Sequence, residues 1–236
     1  MALLDVEDLH VRYGEVAALH GLSLQIAEGE LVAVLGANGA GKTTLLRAIS
    51  GLLHSARGHI RFLGKDLRNV APHEVVALGL RHVPEGRGLL GDLTVAENLR
   101  LGRYLRGLRA TEEDLEKVLE LFPILRERYG QLAALLSGGE QQMLSIARGL
   151  VGRPKLIMID ELSLGLAPKI ATELMHVLAR SRDTGLAVLM VEQSAHQALK
   201  FAERVYVLAN GTIALEGNAA AMANNPAVIQ AYLGRD

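Results

Sequence analysis

Gly36-Ala37-Asn38-Gly39-Ala40-Gly41-Lys42-Thr43-Thr44 lies between an apolar run at 31–35 and a helix-forming run at 45–49. Strand, glycine-rich loop and helix, in that order, form the context in which a G-x-x-x-x-G-K-T pattern binds phosphate. Glycines let several backbone N–H groups converge on one anion, and the helix N-terminus adds partial positive charge. In such loops the lysine contacts the β- and γ-phosphates and the threonine hydroxyl ligates Mg²⁺. We therefore expect the whole quoted stretch to line a nucleotide site, with Lys42 and Thr43 in those two roles.

The bulk composition limits the kinds of protein this chain can be. It has 236 residues, half of them hydrophobic, which is enough for one large α/β domain or for a core with a small second lobe. The net charge of −1 gives no strong attraction to nucleic acid or anionic lipid. Because the chain has no cysteine, disulfides and thiolate metal sites are excluded, and a reducing cytosol suits it.

The sequence offers no membrane-spanning or secretory segment. Its longest apolar runs, such as 186–191, have the length of a strand and are too short to cross a bilayer. Residues 1–11 carry Asp5, Glu7 and Asp8, which a signal peptide would not. Any link to a membrane is therefore expected to come through a partner.

Apolar runs alternate with helix-forming segments along most of the chain, which predicts a mostly parallel sheet with helices on both faces. Asn210-Gly211, between two apolar segments, predicts an antiparallel hairpin near the end. Between 86 and 137 three helical segments follow one another, which indicates a helical insert. The predicted strands are 3–11, 16–26, 31–35, 58–63, 80–83, 156–159, 186–191 and 205–208, and the predicted helices are 45–49, 75–78, 94–105, 111–122, 125–135 and 168–182. The leucines expected to form the insert's own core, rather than a docking surface, are Leu99, Leu101, Leu105 and Leu108.

Two carboxylates end the predicted strand at 156–159. Side chains at the carboxyl end of a parallel strand face the ligand crevice of an open α/β sheet. We expect Asp160 to hold Mg²⁺, through a water molecule because this ion keeps much of its hydration shell, and Glu161 to orient or deprotonate an attacking water. The alternative is a strand that merely ends in acidic residues at a solvated edge, which a neighbouring phosphate loop disfavours.

Leu136-Ser137-Gly138-Gly139-Glu140-Gln141-Gln142 is the second decisive segment. Ser137 and Glu140 have the spacing of a capping box, which any helix N-terminus can carry. The two glycines after the cap serve no capping purpose but leave the N–H groups bare, as anion binding requires. Here the chain resembles the ATP-binding cassette (ABC) family, whose signature is LSGGQ. The resemblance extends over essentially the whole chain, with its motifs in the family's order.

That resemblance implies a fold and a pairing. It implies an α/β P-loop NTPase (RecA-like) core with a mostly parallel sheet, a small antiparallel β subdomain and a helical insert. Within a single domain over 1–236, the core would comprise 1–85 and 138–236, and the insert 86–137. Two cassettes of this family meet head to tail, and each ATP, with its Mg²⁺, lies between the P-loop of one and the signature of the other. Residues expected to contact the partner's nucleotide are Ser137, Gly138, Gly139 and Glu140.

Three further positions take roles from the resemblance. Tyr13 corresponds to the aromatic residue that stacks on adenine, and the alternative is a surface tyrosine before a turn. Glu85 stands where most cassettes carry a glutamine that ligates Mg²⁺, and Gln193 where most carry a histidine that contacts the γ-phosphate. The implied catalytic set is Glu161, Lys42 and Gln193, and the implied Mg²⁺ set is Thr43, Glu85 and Asp160.

Four segments together resemble one branch of the family, the LivF-type subunit of branched-chain amino acid importers: 83–87, 93–99, 163–168 and 191–193. That resemblance implies transmembrane permease subunits, a second cassette of the LivG type or a second copy of this chain, an external solute-binding protein, no nucleic acid, and a peripheral place on the cytoplasmic face of the inner membrane. The alternatives are an importer for urea, amides or another solute, a soluble ABC ATPase, and a regulatory nucleotide switch with little turnover. The single P-loop and the lack of a heptad run count against ribosome- and DNA-associated members.

Overall fold

The computed structural model describes residues 2–53, 57–104, 110–181 and 184–229. The strands are β1 (Leu4–Tyr13), β2 (Val16–Ile26), β3 (Leu31–Leu35), β4 (Arg57–Phe62), β5 (Lys65–Asp66), β6 (Leu80–Val83), β7 (Leu156–Asp160), β8 (Ala187–Glu192), β9 (Arg204–Ala209) and β10 (Thr212–Asn218). The helices are α1 (Lys42–Ile49), α2 (Pro72–Ala77), α3 (Val95–Tyr104), α4 (Glu112–Leu121), α5 (Pro123–Glu127), α6 (Gly138–Val151), α7 (Pro168–Ser181), α8 (Ala195–Phe201), α9 (Ala219–Ala223) and α10 (Pro226–Val228).

A six-stranded sheet in the order β10-β9-β3-β8-β7-β6 forms the centre of the molecule. All its neighbouring pairs are parallel except β10 with β9. Every residue of β3, β7 and β8 is buried, because helices and a second sheet cover both faces. Apart from the acidic residues that end β7 and β8, these strands are therefore apolar. The carboxyl ends of these three strands therefore meet at one edge, as the sequence predicted.

A smaller antiparallel sheet, β2-β1-β4-β5, packs against one face of the central sheet. Side chains of β3 alternate between the two faces: Val32 and Val34 join the core shared with the small sheet and α1. Leu31, Ala33 and Leu35 join the core shared with helices α3, α4, α6 and α7. The expected fold, a parallel core with an antiparallel β part and helices inserted between β6 and β7, is confirmed.

The hairpin predicted from turn chemistry is confirmed, and helix α4 begins at a capping box. Asn210 (φ 49°) and Gly211 (φ 76°) both have left-handed backbones, as the tight turn of the β9–β10 hairpin requires. At α4 the Thr111 hydroxyl accepts a hydrogen bond from the Asp114 N–H, and the Asp114 carboxylate accepts one from the Thr111 N–H.

The prediction of one helix over 125–135 is wrong. Helix α5 ends at Glu127, and residues 133–135 form only a short 3-10 turn. Between them the backbone pairs with the start of α3, since the Gln131 carbonyl accepts from the Val95 N–H at 2.9 Å. This pairing, beside Gly130, outweighs the helical propensity of the segment.

The insert's leucines do not all have the expected environment. Leu99 is fully buried in the core, as expected. Leu101 is instead half-buried and lines a surface groove together with Ser145, Arg148 and Gly149 of α6. Leu105 and Leu108 lie outside the described residues. None of the helices in the described ranges is long and apolar enough to cross a bilayer.

Candidate functional site

The loop 36–41 connects β3 to α1 with a backbone that depends on glycine. Gly39 has φ 81° and Gly41 φ 111°, a region that L side chains rarely adopt. A Cβ at Gly41 would also lie 2.7 Å from the Leu19 Cδ2 atom, and one at Gly36 would lie 2.7 Å from the Leu208 carbonyl oxygen. The tight loop therefore ends directly at the N-terminus of α1, which is the geometry expected of a phosphate site.

A cavity of about 360 Å³ lies over this loop. It brings together residues that are far apart in the sequence: the loop itself, Glu85 after β6, Glu161 after β7 and Gln193 after β8. Its lining residues are Ala18, Asn38, Gly39, Gly41, Lys42, Thr43, Thr44, Glu85, Glu161, Leu164 and Gln193. Of the residues expected to bind the nucleotide, Gly36, Ala37, Ala40 and Tyr13 lie outside this lining.

Lys42 is buried, with 6% of its surface exposed. Its Nζ atom donates to the carbonyl oxygens of Gly36 at 2.7 Å and Ala37 at 3.2 Å. The same atom lies 2.9 Å from Glu161 Oε1. The positive charge is thus fixed between the loop and the carboxylate that the sequence assigned to hydrolysis.

Asp160 is 1% exposed, and its Oδ1 atom has no hydrogen-bond partner within the described residues. Burial raises the pKa of Asp160, and the charges of Glu161 and Glu85 act in the same direction against a hydrogen bond from the Thr43 hydroxyl. A buried carboxylate oxygen without a partner is unfavourable unless a cation or water completes it. Mg²⁺ needs only one or two carboxylates because it keeps several waters. The oxygens of Thr43, Asp160 and Glu85 fit that requirement.

Glu161 has φ 53°, a strained backbone for a residue with a side chain. Its own N–H donates to the Val191 carbonyl at 3.0 Å, which holds the turn after β7 against β8. Its Oε2 atom accepts from the Gln193 N–H at 3.2 Å. In this backbone conformation the carboxylate lies in the cavity, 2.9 Å from the Lys42 Nζ atom.

Sequence reasoning missed Glu192, the last residue of β8. It is 1% exposed, and its two carboxylate oxygens accept from the Ser163 N–H at 3.1 Å and the Ser163 hydroxyl at 2.7 Å. Burial raises the pKa of Glu192 to about 7. An acidic residue directly after the fully apolar run of β8 was the available signal.

A groove of about 710 Å³ opens beside the cavity and shares Thr43 and Glu85 with it. Asp160 is among its lining residues, and so are the largely apolar side chains of Leu52, just after α1, and of Leu101 and Tyr104 on α3. Leu52 is 54% and Tyr104 70% exposed. Burial and the charge of Arg47 lower the pKa of His82, another lining residue, to about 4, so this imidazole is neutral near pH 7.

The loop carrying Glu85 is fastened to helix α6. The Arg87 guanidinium donates to Gln141 Oε1 at 2.6 Å, and the Arg87 carbonyl accepts from the Ser145 hydroxyl at 2.5 Å. Arg148 donates to the Gly88 carbonyl at 2.8 Å. These bonds couple the Glu85 loop to the helix that begins at the signature segment.

The signature segment forms the N-terminus of α6. The Glu140 N–H donates to the Ser137 hydroxyl at 3.3 Å, and the Ser137 N–H donates to Glu140 Oε2 at 2.7 Å. Gly138 and Gly139 follow the cap and line a cavity of about 490 Å³ with Ile170. That cavity shares no lining residue with the one over the phosphate loop. Among the residues that the structure describes, the signature and the loop therefore line separate sites.

Tyr13 ends β1 and is 43% exposed. Its hydroxyl lies 3.5 Å from the Thr44 Oγ1 atom, at the far side of α1's first turn. The ring is thus beside the nucleotide loop but not part of the cavity.

Comparison with known proteins identifies relatives over the full length. The ABC transporter family pattern matches residues 19–163. The high-affinity branched-chain amino acid transport ATP-binding protein BraG of Pseudomonas aeruginosa is 44% identical over 98% of this chain and 100% of its own length. The probable branched-chain amino acid transport ATP-binding protein LivF of Archaeoglobus fulgidus is 33% identical over 92% of each chain.

Solved structures agree with the fold. A nucleotide-free ATP-binding cassette from an ABC transporter superposes with a TM-score of 0.86, at 29% identity and 98% coverage of both chains. A cassette in its ADP conformation gives a TM-score of 0.85 at 29% identity over the whole of both chains.

Proposed function

This chain belongs to the ABC transporter family, and we propose that it is the ATP-hydrolysing subunit of an importer for branched-chain amino acids. The observation that carries the ATPase part is the convergence of Lys42, Asp160 and Glu161 at the carboxyl edge of the sheet. The solute is inferred from the full-length likeness to the BraG protein, since nothing in a cassette of this fold touches the solute.

The residues divide the chemistry of phosphoryl transfer among them. The loop 36–44 would cradle the phosphates, and Lys42 would neutralise charge on the β- and γ-oxygens. Glu161 would accept a proton from the attacking water or orient it, and the Gln193 side chain would donate a hydrogen bond to the γ-phosphate. Thr43, Asp160 and Glu85 would hold Mg²⁺, which when bound supplies charge neutralisation at the β- and γ-oxygens. Tyr13 would stack on the base.

The site needs a second cassette to complete it. Because the signature segment and the phosphate loop line separate cavities, Ser137, Gly138, Gly139 and Glu140 are free to serve a nucleotide held by another molecule. We propose a LivG-type cassette, or a second copy of this chain, as that partner. In this proposal residues 1–236 act as one ATP-binding domain, and 86–137 are its helical part.

The groove beside Glu85 is proposed to receive the permease subunits. It joins the surface to the Mg²⁺ residues, and exposed apolar side chains such as Leu52 and Tyr104 line its outer part. A segment of a membrane partner inserted there would contact the same loop that reaches both Glu85 and α6. This docking would hold the chain on the cytoplasmic face of the inner membrane, with an external binding protein delivering the solute to the permeases.

The partners are tested by affinity purification of the tagged chain from its own membranes, with every co-purifying protein identified. Two multi-span permeases and a second cassette are expected. Leu52→Asp and Tyr104→Asp are expected to lose the permeases, because each places a charge in the groove. Leu63→Asp, at an exposed leucine outside the groove, is the matched control. Recovery of soluble partners alone would contradict the proposed role in transport.

The catalytic assignment is tested with Glu161→Gln in that complex. Loss of the carboxylate is expected to lower ATP turnover by at least about 100-fold while ATP still binds, because a general base contributes that much or more. Turnover equal to wild type would contradict the role of Glu161. Uptake of labelled leucine, isoleucine and valine, with urea as the competing candidate, then tests the solute.

A further inference from the structure

The turn after β7 carries Glu161 into the cavity. Residues 161–166 leave β7 and run along the carboxyl edge of the sheet before α7 begins at Pro168. Few backbone contacts fix this segment from outside. The Glu161 N–H donates to Val191, while Leu164 and Leu166 bond back to Glu161 and Ser163 within the segment itself.

Glu192 supplies the side-chain anchor. Its carboxylate accepts from the Ser163 N–H at 3.1 Å and from the Ser163 hydroxyl at 2.7 Å. A carboxylate has two oxygens that accept, so one side chain fixes both the backbone and the side chain of the turn. Glu192 itself belongs to β8, where every residue is buried, and is therefore held rigidly.

A buried acid at this position is otherwise costly. No ion pair of Glu192 is found within the described ranges, and the neighbouring charge is the carboxylate of Glu161. Burial raises the pKa of Glu192 to about 7, which reflects that cost. Burying an unpaired acid next to another acid is unfavourable for stability alone, so the two hydrogen bonds that it accepts from Ser163 point to a positional role.

The contacts form a closed ring around the hydrolytic group. Glu192 holds Ser163, two residues after Glu161, and it immediately precedes Gln193, whose N–H donates to Glu161 Oε2 at 3.2 Å. The Glu161 carboxylate is thereby placed from both sides, by the turn below it and by the loop beside it.

We propose that Glu192 is a positioning residue for hydrolysis: through Ser163 it fixes the turn that aims the Glu161 carboxylate, and it does so by hydrogen bonding rather than by its charge. This proposal rests on the proposed ATPase function. Glu192 is therefore expected to affect hydrolysis and not nucleotide binding. The loop 36–44 sets nucleotide affinity, and the side-chain hydrogen bonds of Glu192 do not reach that loop.

The test compares Glu192→Ala, Glu192→Gln and Ser163→Ala in the purified complex, measuring kcat and KM for ATP. Glu192→Ala is expected to lower kcat about 10- to 100-fold with KM within about twofold, as a misplaced catalytic group does. Glu192→Gln is expected to stay within about threefold of wild type, because its amide oxygen can accept the Ser163 N–H while its NH₂ donates to the hydroxyl. Ser163→Ala is expected to lie between them.

The matched control is Glu30→Ala. Glu30 is also largely buried and accepts from a backbone N–H, that of Ala27 at 2.7 Å, and from Arg204 at 2.7 Å, but it precedes β3 at the opposite edge of the sheet. This variant should lower the melting temperature and leave kcat unchanged. If Glu192→Ala does not fold, the loss in Ser163→Ala and its absence in Glu30→Ala carry the same comparison.

Unchanged kcat in both Glu192→Ala and Ser163→Ala overturns the proposal, as does a glutamine variant as impaired as the alanine one. The ATPase assignment is judged separately. Wild-type turnover that Glu161→Gln does not reduce would refute that assignment. Turnover that Glu161→Gln abolishes and Glu192→Ala leaves intact would refute only the role of Glu192.

Discussion

The buried carboxyl group of Glu192 makes the free energy of unfolding depend on pH. Its ordinary pKa of 4.5 rises to about 7 in the folded chain, chiefly through burial. Below pH 4.5 the acid is neutral in both the folded and unfolded states and costs nothing. Between 4.5 and 7 the unfolded chain releases the proton first, so stability falls as the pH rises, and above 7 the penalty is constant.

Glu192→Gln should remove this penalty. Relative to wild type, the variant is expected to gain on the order of 3 kcal/mol of unfolding free energy between pH 4.5 and pH 7, from about 1.4 kcal/mol per pKa unit, and nothing further above pH 7. Melting temperatures of both proteins across that range measure the difference. A gap that stays constant from pH 5 to pH 8 would contradict the raised pKa.

Gln193 gives a second residue-scale prediction. An amide cannot become cationic, so this residue should contribute no step near pH 6.5 to the hydrolysis rate, whereas the imidazole of Gln193→His should introduce one. Rate profiles of the two proteins, measured on the same complex, test this. The prediction fails if the wild-type rate already has a step there that Gln193→Ala abolishes.

At the scale of elements, helix α6 connects the signature segment with the loop that carries Glu85. Its N-terminus carries the signature glycines, and its first turns hold the Glu85 loop through Gln141 and Ser145. A change at Glu85, whether from Mg²⁺ or from a docked permease, would therefore act on the helix that we propose faces the partner's nucleotide. The bonds are short and several, so loop and helix should move together.

Gly139→Ala tests the signature without disturbing the fold. Its Cβ would enter the signature cavity 3.1 Å from the Ile170 Cγ2 atom, a slightly tight contact offset by the better helix propensity of alanine. We expect a near-normal melting temperature and at least about tenfold slower hydrolysis by the paired cassettes, because the methyl group crowds bare N–H donors. Gly130→Ala, where a Cβ meets nothing within 4 Å, is the matched control. Equal activity of the two variants would count against the role of the signature.

How far the sequence predicts the structure also depends on the element. The strands, the phosphate loop and the hairpin at Asn210 follow from local chemistry, since apolar runs and glycine positions leave few alternatives. The segment 125–135 could not be predicted, because its conformation depends on pairing with residues near Val95. Glu192 was missed for a similar reason. Its partner Ser163 lies 29 residues away, and only the folded chain brings them together.

At the scale of the whole molecule, one buried carboxylate fastens the helical insert to the core. The Asp114 side chain is 0% exposed and pairs with two guanidinium groups, Arg103 on α3 and Arg153 just after α6, the latter at 2.6 Å. Thr111 adds two hydrogen bonds at the start of α4. Residues from α3, from the start of α4 and from just after α6 thus meet at one charge, which fastens these three parts of the fold together.

Asp114→Asn should therefore loosen the insert and reveal its dependence on pH. Burial would raise the pKa of Asp114, but the bonds from Thr111 and the two arginines outweigh it and lower the pKa from 3.8 to about 2. The stabilisation is thus present above pH 3.8 and is lost as the pH falls toward 2. We expect the variant to lose about 2–4 kcal/mol at pH 7, because Arg103 and Arg153 lose their shared buried counter-charge and Arg153 keeps only the exposed Glu113, and to approach wild type near pH 2. Thermal unfolding at both pH values measures this.

Glu116→Gln, which removes the exposed pair with Arg126, should have little effect at either pH. If Asp114→Asn were as mild as Glu116→Gln, the insert would be held by its apolar contacts alone, and the coupling between the Glu85 loop and the signature would have to pass entirely through α6.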